Sequence, residues 1–523
     1  MYSTKILDCT LRDGGYINNW KFGERVIKNI ISNLEEARID IIECGFIRKV
    51  GADIDSSVYS SMQQFAKVIS PKKKNTLYAV MIEYHNHVED LIPYYDGLGA
   101  DIIRITFRRK EWKEAKHTVI ELIEKGYHVC VQPVGTATYD DEELLNLIKD
   151  VNKIKPYAFY LVDTLGMMYR HDMRRFFYLI DNNLSRDISV GFHSHNNLQM
   201  SFANAQEMIR LANRRNIIID SSCYGMGRGV GNLATELLAD YINNTIGQNY
   251  SLMPILNIVD KYLMPIYAEQ RWGYDLPYFI AATVKCHPNY AAYLMKKETI
   301  GIEKIEKILN LIPTSERNEY NEVLIEKLYL DFQECDFNDD MSYAKLKQLI
   351  GDREVIILGS GASIKIKEYV KVIKELSEKR FLISTNFISK MFQEDALFIS
   401  NDKRIHTVDL ELVSTKLMTS NLNLDINNAM IFNYTYLLGE GNDSDNAGAM
   451  LIRILKNVGV KKIYLAGFDG FDVDILNNYA VNEFRRAMDY DTVLKKNSDI
   501  SKQLKIALMG VEYEFITPTK YEI

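Results

Sequence analysis

The segment GFHSHNNLQM, residues 191–200, places His193 and His195 one residue apart at the end of an apolar run. On a strand, residues i and i+2 point to the same face, so two imidazoles would stand side by side. Neutral imidazoles joined by oxygen ligands suit a divalent cation: Mn²⁺ or Mg²⁺, with Co²⁺ and Zn²⁺ as further options. The best carboxylate for such a group is Asp13, in the loop LRDGGY, where glycines allow close backbone approach. A cation with open positions polarises a carbonyl and stabilises an enolate, and the adjacent Arg12 would neutralise the developing oxyanion. These residue types fit making or breaking a carbon–carbon bond beside a carbonyl. A lone H-x-H pair is also an ordinary packing feature, so the elements around it must decide.

Eight short β-rich runs recur in the first half: 5–10, 40–46, 76–82, 101–107, 128–133, 158–164, 188–195 and 217–225. Helical apolar spacing lies between them, as in GERVIKNIISNLEEA. Alternating strands and helices imply parallel pairing through right-handed crossovers. Eight units in about 230 residues match a (β/α)8 TIM barrel, with an open doubly wound sheet as the alternative. Polar residues collect at the run ends: Asp8, Arg12 and Asp13; Glu43; Asp163 and Thr164; the histidine pair; Asp220 to Ser222. Arg104 and Gln132 lie within the fourth and fifth runs. A barrel gathers its strand ends on one face, where active sites form. Glu43, Asp163 and Thr164 would thus lie near a site on that face, with Arg104 and Gln132 as candidate substrate contacts.

The fold class expected is α/β, with the barrel over 1–245, a helical extension and linker over 246–350, and a smaller Rossmann-like domain over 351–523. That last domain opens with DREVIILGSGASIKIKEYVKVIKE, a buried strand, a glycine turn and a helix. GSGASI could cradle a phosphate at a helix start. It lacks the third glycine of G-x-G-x-x-G and the P-loop lysine. With STNF and LAGFDGFD at later strand ends, it suggests a nucleotide or nucleotide-sugar site of Gly359, Gly361, Ser363, Asn386 and Asp469. A ligand-free structural domain is the other reading.

The chain has 523 residues, 47% hydrophobic and 25% charged, with a net charge of −7. The length predicts more than one domain, and the acidic balance argues against a general nucleic-acid binder. The six cysteines include no C-x-x-C pair and fit a reducing cytoplasm. No signal-like core opens the sequence, and no run approaches a membrane span.

LDCTLRDGGY, LVDTLGMM, GFHSHNNLQMS and DSSCYGMGRGVGNLATELL, in that order, resemble the first-, sixth-, seventh- and eighth-strand motifs of the DRE-TIM metallolyases. That superfamily includes 3-hydroxy-3-methylglutaryl-CoA lyase, 4-hydroxy-2-oxovalerate aldolase and the isopropylmalate and homocitrate synthases. The resemblance covers about residues 3–245 and implies metal ligands Asp13, His193, His195 and Asn232. It also implies Arg12 on the enolate oxygen, Asp163 and Thr164 along the substrate pocket, and Glu43 near it. The condensing synthases carry a glutamate and glutamine after RDG, which are missing here. The aldolases carry a histidine base three residues after the ligand aspartate, where this chain has Tyr16. A phenol needs perturbation to act as acid or base, and Tyr16 as a mere substrate contact stays open. The lyases use a cysteine shortly before the GN pair, and Cys223 is out of register with it. CHPNYAAYLMKK resembles the aldolases' helical extension, which contributes a tyrosine to the site. Tyr290 is the candidate there, with His287 behind it, and a packed aromatic helix is the plain alternative. More loosely, the C-terminal domain resembles Rossmann-like domains of bacterial sialyltransferases and pterin pyrophosphokinase-like proteins.

The resemblance thus implies a metal-dependent carbon–carbon lyase that joins or splits a 2-oxo acid and an aldehyde through a pyruvate-type enolate. A Claisen-type acyl-CoA condensation is the rival within the class. A non-catalytic barrel serving a transferase or nucleotide-binding C-terminal domain is the rival outside it. The pairing of domains suggests an unusual sugar for a surface polysaccharide, and related barrels suggest a homodimer.

Overall fold

A computed structural model describes residues 3–51, 53–334, 337–422, 424, 426–440, 444–485 and 488–523. The chain divides into two compact units, one of Met1–Ala292 with Pro313–Tyr320 and the other of Tyr293–Ile312 with Asn321–Ile523.

The first unit contains eight parallel strands: β1 Thr4–Asp8, β2 Ile41–Ile47, β3 Leu77–Glu83, β4 Ile102–Phe107, β5 His128–Pro133, β6 Ala158–Asp163, β7 Ser189–Ser194 and β8 Ile217–Ser221. Each pairs with the next, and β8 returns to β1, which closes the (β/α)8 barrel. All eight expected runs are strands, because parallel strands covered on both faces are continuously apolar. One face of the strands packs inward through Leu7, Ile41, Ala79, Ile102, Tyr160 and Ile218. The other faces the helices: Glu24–Glu36 buries Ile27, Ile30, Ile31 and Leu34, one stripe at i, i+3, i+4 and i+7. A two-residue strand, Val58–Tyr59, adds to β2. The register of β2 against β3 slips between Glu43 and Phe46. Gly45 sits in that slip at φ 139°, where a Cβ would lie 1.8 Å from the Ser57 carbonyl oxygen. Such bulges re-aim neighbouring side chains.

The second unit holds a seven-stranded parallel sheet: β9 Val355–Leu358, β10 Phe381–Thr385, β11 Ala396–Ile399, β12 Thr415–Thr419, β13 Met430–Phe432, β14 Lys462–Ala466 and β15 Glu512–Phe515. The order is β13-β12-β11-β10-β9-β14-β15. Residues alternate between two apolar layers, Val355 and Ile357 in one, Ile356 and Leu358 in the other. After the opening strand, the strand-like runs in the sequence are RFLISTN, DALFIS, AMIFNYT and KKIYLAGFDG, so β12 and β15 were not expected. The exposed β15 edge carries Glu512 and Glu514, which pair with Lys462 rather than follow an apolar pattern.

The expected 246–350 linker does not stand apart. Ile255, Ile258 and Leu263 join the barrel's core, while Leu346 and Ile350 join the second unit's core. Amphipathic helices follow whichever apolar face covers them, so the division falls within the helical stretch. Among the described residues, no helix is long and apolar enough to cross a membrane.

Candidate metal centre at the barrel's C-terminal face

The turn after β1 carries Arg12 and Asp13. The Arg12 and Asp13 amides both donate to the Cys9 carbonyl, at 3.1 and 2.8 Å. The glycines that follow are there for close approach, to the chain itself rather than to a ligand. A Cβ on Gly14 would lie 2.3 Å from the Thr10 carbonyl oxygen, and one on Gly15 would strike the Trp20 indole. The Trp20 Nε1 then donates to the Arg12 carbonyl at 2.7 Å and fixes the turn.

His193 lies one residue before the end of β7 and His195 just beyond it, their rings 5.3 Å apart. Both Nε2 atoms turn to Asp13 Oδ2, at 3.6 and 3.9 Å. The Asn232 amide donates to the same oxygen at 2.6 Å. Asp13, His193, His195 and Asn232 therefore meet, brought together across more than 200 residues of sequence for the Asp13–Asn232 pair. These spacings leave room for one cation with ligand distances of about 2.0–2.2 Å. Burial favours a neutral carboxyl at Asp13, but Arg12 and the two histidines outweigh it and hold the group well below the usual carboxylate range. Burial pushes His195 down to about 4, so its imidazole is neutral at pH 7. Both states are the ones that bind metals.

Sequence reasoning missed two members of this group. Asp220, on β8, accepts from His193 Nδ1 at 3.0 Å. That bond leaves the Nε2 lone pair facing Asp13, the carboxylate–histidine arrangement that orients metal ligands. Its place at a strand end was the only local signal. Cys9 Sγ also lies with the Asp13 and His193 donor atoms inside a 4.8 Å cluster. Burial raises its thiol well above the ordinary value, so it stays protonated beside better ligands.

The expected substrate contacts Glu43, Arg104 and Gln132 are closed off from solvent and engaged with one another. Glu43 Oε2 accepts from Arg12 Nε at 2.8 Å and from Arg104 Nη1 at 2.6 Å. Arg104 also pairs with Asp220 and lies 4.8 Å from the Tyr160 ring centroid. The Gln132 amide oxygen, oriented to match its neighbours, accepts from Arg104. The network ties Arg12 to His193 through charge pairs instead of presenting three groups to a substrate. Four atoms of this group and its charge network are buried without a hydrogen-bond partner: Arg12 Nη2, a donor, and the acceptors Asn232 Oδ1, Glu43 Oε1 and Asp220 Oδ1. The donor suits an anion, and Asn232 Oδ1, beside Asp13 and the histidines, suits a cation.

Residues 100–259 match the family model described as HMGL-like. This stretch is an HMGL-like domain. It runs from the start of β4 past β8 and contains His193, His195, Asp220 and Asn232, while Asp13 lies before it. An oxaloacetate decarboxylase from Mycobacterium tuberculosis is 29% identical over 235 residues, 45% of this chain and 68% of that protein. A 4-hydroxy-2-oxovalerate aldolase from Bacillus thuringiensis is 24% identical over 277 residues, 51% of this chain and 79% of that protein. The solved N-terminal domain of a Bacteroides vulgatus protein is 25% identical with a TM-score of 0.49, over 56% of this chain and 96% of that domain.

The remaining candidates of the first unit behave differently from the metal group. Tyr16 is 38% exposed and packs edge-on against Trp20, 4.7 Å between ring centroids. Burial of its phenol and the Asp13 charge raise it above the ordinary tyrosine value, the wrong direction for a base. Asp163 is buried, and its two oxygens accept from the Met167 and Met168 amides, both at 3.0 Å. Its carbonyl accepts from the His195 amide, so it holds that histidine's backbone. Burial raises its carboxyl to about 6, against those two bonds. The Thr164 hydroxyl accepts from the Gly135 amide at 2.9 Å. Tyr290 is fully buried, its hydroxyl on the Glu316 and Glu319 carbonyls at 2.9 and 2.7 Å. That bonding anchors the 313–320 segment, which corrects its expected place in the site. His287 Nδ1 accepts from the Asn289 amide, likewise a local bond. A cavity of about 370 Å³ opens at the opposite end of the strands, beside Lys5, His128 and Lys155, and none of the candidates lines it.

In the second unit, Gly359, Gly361, Asn386 and Asp469 line one cavity at the carboxyl ends of the strands. Ser363 gives its amide to Asp469 Oδ2 at 2.7 Å and its hydroxyl to Oδ1. A carboxylate of the protein itself thus takes the position expected for a phosphate, which corrects the glycine turn as a phosphate cradle.

Proposed function

We propose that the barrel is a divalent-cation-dependent carbon–carbon lyase acting on a small 2-oxo acid through a pyruvate-type enolate. The pairing of an unpartnered buried N–H at Arg12 with an unpartnered buried acceptor at Asn232, around Asp13, His193 and His195, carries this reading. A divalent cation bound there would polarise the 2-oxo group and stabilise negative charge on its oxygen. Arg12 would donate Nη2–H to that oxygen as charge develops, while Glu43 and Asp13 hold the guanidinium in place. Asp220 would keep His193 in the tautomer that offers Nε2. As the carbon–carbon bond breaks, the 4-hydroxyl proton would pass to solvent and the electron pair to the enolate, and Tyr16, which stays a neutral phenol, would then donate a proton to the enolate carbon. In the aldol direction the partner is an aldehyde, as for the 4-hydroxy-2-oxovalerate aldolase relatives.

A second reading rests on the residue at position 16. Loss of CO2 from a 2-oxo diacid breaks the bond to the departing carboxylate, leaves its electron pair in the enolate, and then takes up one proton. That sequence needs an acid and no base, which a raised tyrosine supplies. It is the reaction class of the Mycobacterium tuberculosis relative.

Incubation with pyruvate and Mn²⁺ or Mg²⁺ in D₂O, followed by NMR of the methyl signal, tests the shared enolate chemistry. Metal-dependent exchange lost in Asp13→Asn and His193→Ala is expected. Absence of exchange with any divalent metal would sink the enolate reading. Oxaloacetate consumption measured beside aldehyde-dependent condensation separates the two directions.

A further inference from the structure

The cavity of the second unit measures about 200 Å³ and opens where the strand order reverses, between β9 and β14. Open parallel sheets bind ligands in that crevice. The strand-end loops are pressed together there: a Cβ on Gly467 would lie 2.3 Å from the Gly359 carbonyl oxygen. With the Ser363 amide taken by Asp469, donors for a ligand must come from elsewhere on the wall.

They come from the helix Ala447–Val458, whose first residues line the cavity. Its cap, Asn446, accepts from the Ala449 amide at 3.1 Å and from no earlier amide. Among the described residues, the Ala447 and Gly448 amides have no acceptor. The helix start carries partial positive charge. Three cations share the wall, and one of them, Lys297, is paired with Glu326. Lys496 Nζ lies 4.8 Å from the Phe471 ring centroid and has no carboxylate partner among the described residues. The Arg404 guanidinium stacks 3.5 Å from the Phe484 centroid. Independently of these charges, Ser400 is only 6% exposed, lines the same cavity, and has a hydroxyl with no hydrogen-bond partner among the described residues. Its oxygen stays accessible from the cavity, where it can bond a ligand. Of the three acids on the wall, Asp469 is turned to Ser363, and Asp445 Oδ2 to the Tyr329 and Tyr434 hydroxyls; Glu298 is the third.

We propose that this unit binds the phosphate or diphosphate group of a small ligand, held by the Ala447 and Gly448 amides, Lys496 and the Ser400 hydroxyl. The source is either inorganic phosphate and pyrophosphate or a nucleoside diphosphate, since all present the same oxygens. The test is calorimetric titration of the full chain with inorganic phosphate, pyrophosphate, ADP and UDP, in wild type and in Asp13→Asn, which keeps a barrel-bound cation from contributing. At least one probe should bind with equal strength in both proteins. Lys496→Ala should weaken it about tenfold and Ser400→Ala several-fold, with thermal unfolding unchanged, and added salt should weaken it further. Lys496→Arg should restore most of the affinity. Pyrophosphate matching the nucleotides would assign the site to the phosphates alone; tighter nucleotide binding would add a base contact, and both support the proposal. No binding of any probe at millimolar concentration, binding lost in Asp13→Asn, or binding indifferent to both cavity variants would overturn it.

Discussion

Both parallel sheets carry buried or half-buried carboxylates at the carboxyl ends of their strands, and the two regions use them in opposite ways. Asp13, after β1, sits among Arg12, His193 and His195, and its charge is favoured despite burial. Asp469, after β14, is met by the Ser363 amide and hydroxyl, and burial raises it. Asp163 is the barrel's own version of Asp469, with two loop amides and a raised carboxyl. A buried acid at a strand end is therefore not by itself a reactive group. It becomes one where charged neighbours hold it ionised and still leave donors and acceptors unused.

The largest effect should come from breaking this contrast directly. Asp13→Asn should cut metal-dependent pyruvate exchange by at least about a hundredfold, while Asp469→Asn should leave it within twofold. Equal losses in the NMR assay would mean that the second unit participates in the chemistry.

Asp220→Asn should come next. It removes the group that orients His193, and divalent-metal affinity should fall about 10- to 100-fold by calorimetry. It also takes one carboxylate from buried Arg104, so denaturant unfolding should show a loss of roughly 3 kcal/mol. Metal affinity unchanged in a folded variant would show that His193 needs no such partner.

Asp163 sharpens the comparison through pH. Its folded value of about 6 exceeds the unfolded one, so the folded state binds the proton more tightly. The stability this brings, roughly 3 kcal/mol at most, is complete below about pH 4 and is lost as pH rises through 6. Asp163→Asn lacks it. The wild-type advantage in melting temperature over the variant should therefore shrink from pH 4 to pH 6.5, and a difference that stays flat would refute the raised carboxyl.

The smallest effect belongs to Tyr290→Phe. Losing its bond to the 316–319 carbonyls should cost about 1–2 kcal/mol of stability. The exchange rate should stay within twofold. A rate loss at unchanged stability would return Tyr290 to the active site.

The barrel was legible because its eight strands are locally marked by continuous apolar runs, with polar residues where they end. The H-x-H pair and the RDGG loop were legible for the same reason, each being a short pattern. β15 was not, since an exposed edge carries charges instead of an apolar pattern. The roles of Glu43, Arg104 and Gln132 were not either, since a buried charge reads the same in sequence whether it meets a substrate or another side chain. The glycines at 14 and 15 were recognised as close-approach positions, but only the fold shows that they approach Thr10 and Trp20.

By itself, then, the sequence determined the barrel's strands, their alternation with helices, and which polar residues stand at their ends. These follow from local periodicity and chain connectivity. The tertiary structure decided which of those residues act together. Arg104 meets Asp220 across 116 positions, and Asn232 meets Asp13 across 219. Protonation state, tautomer and free hydrogen-bonding capacity all depend on the partner within a few ångströms, and in this chain those partners are far apart in sequence.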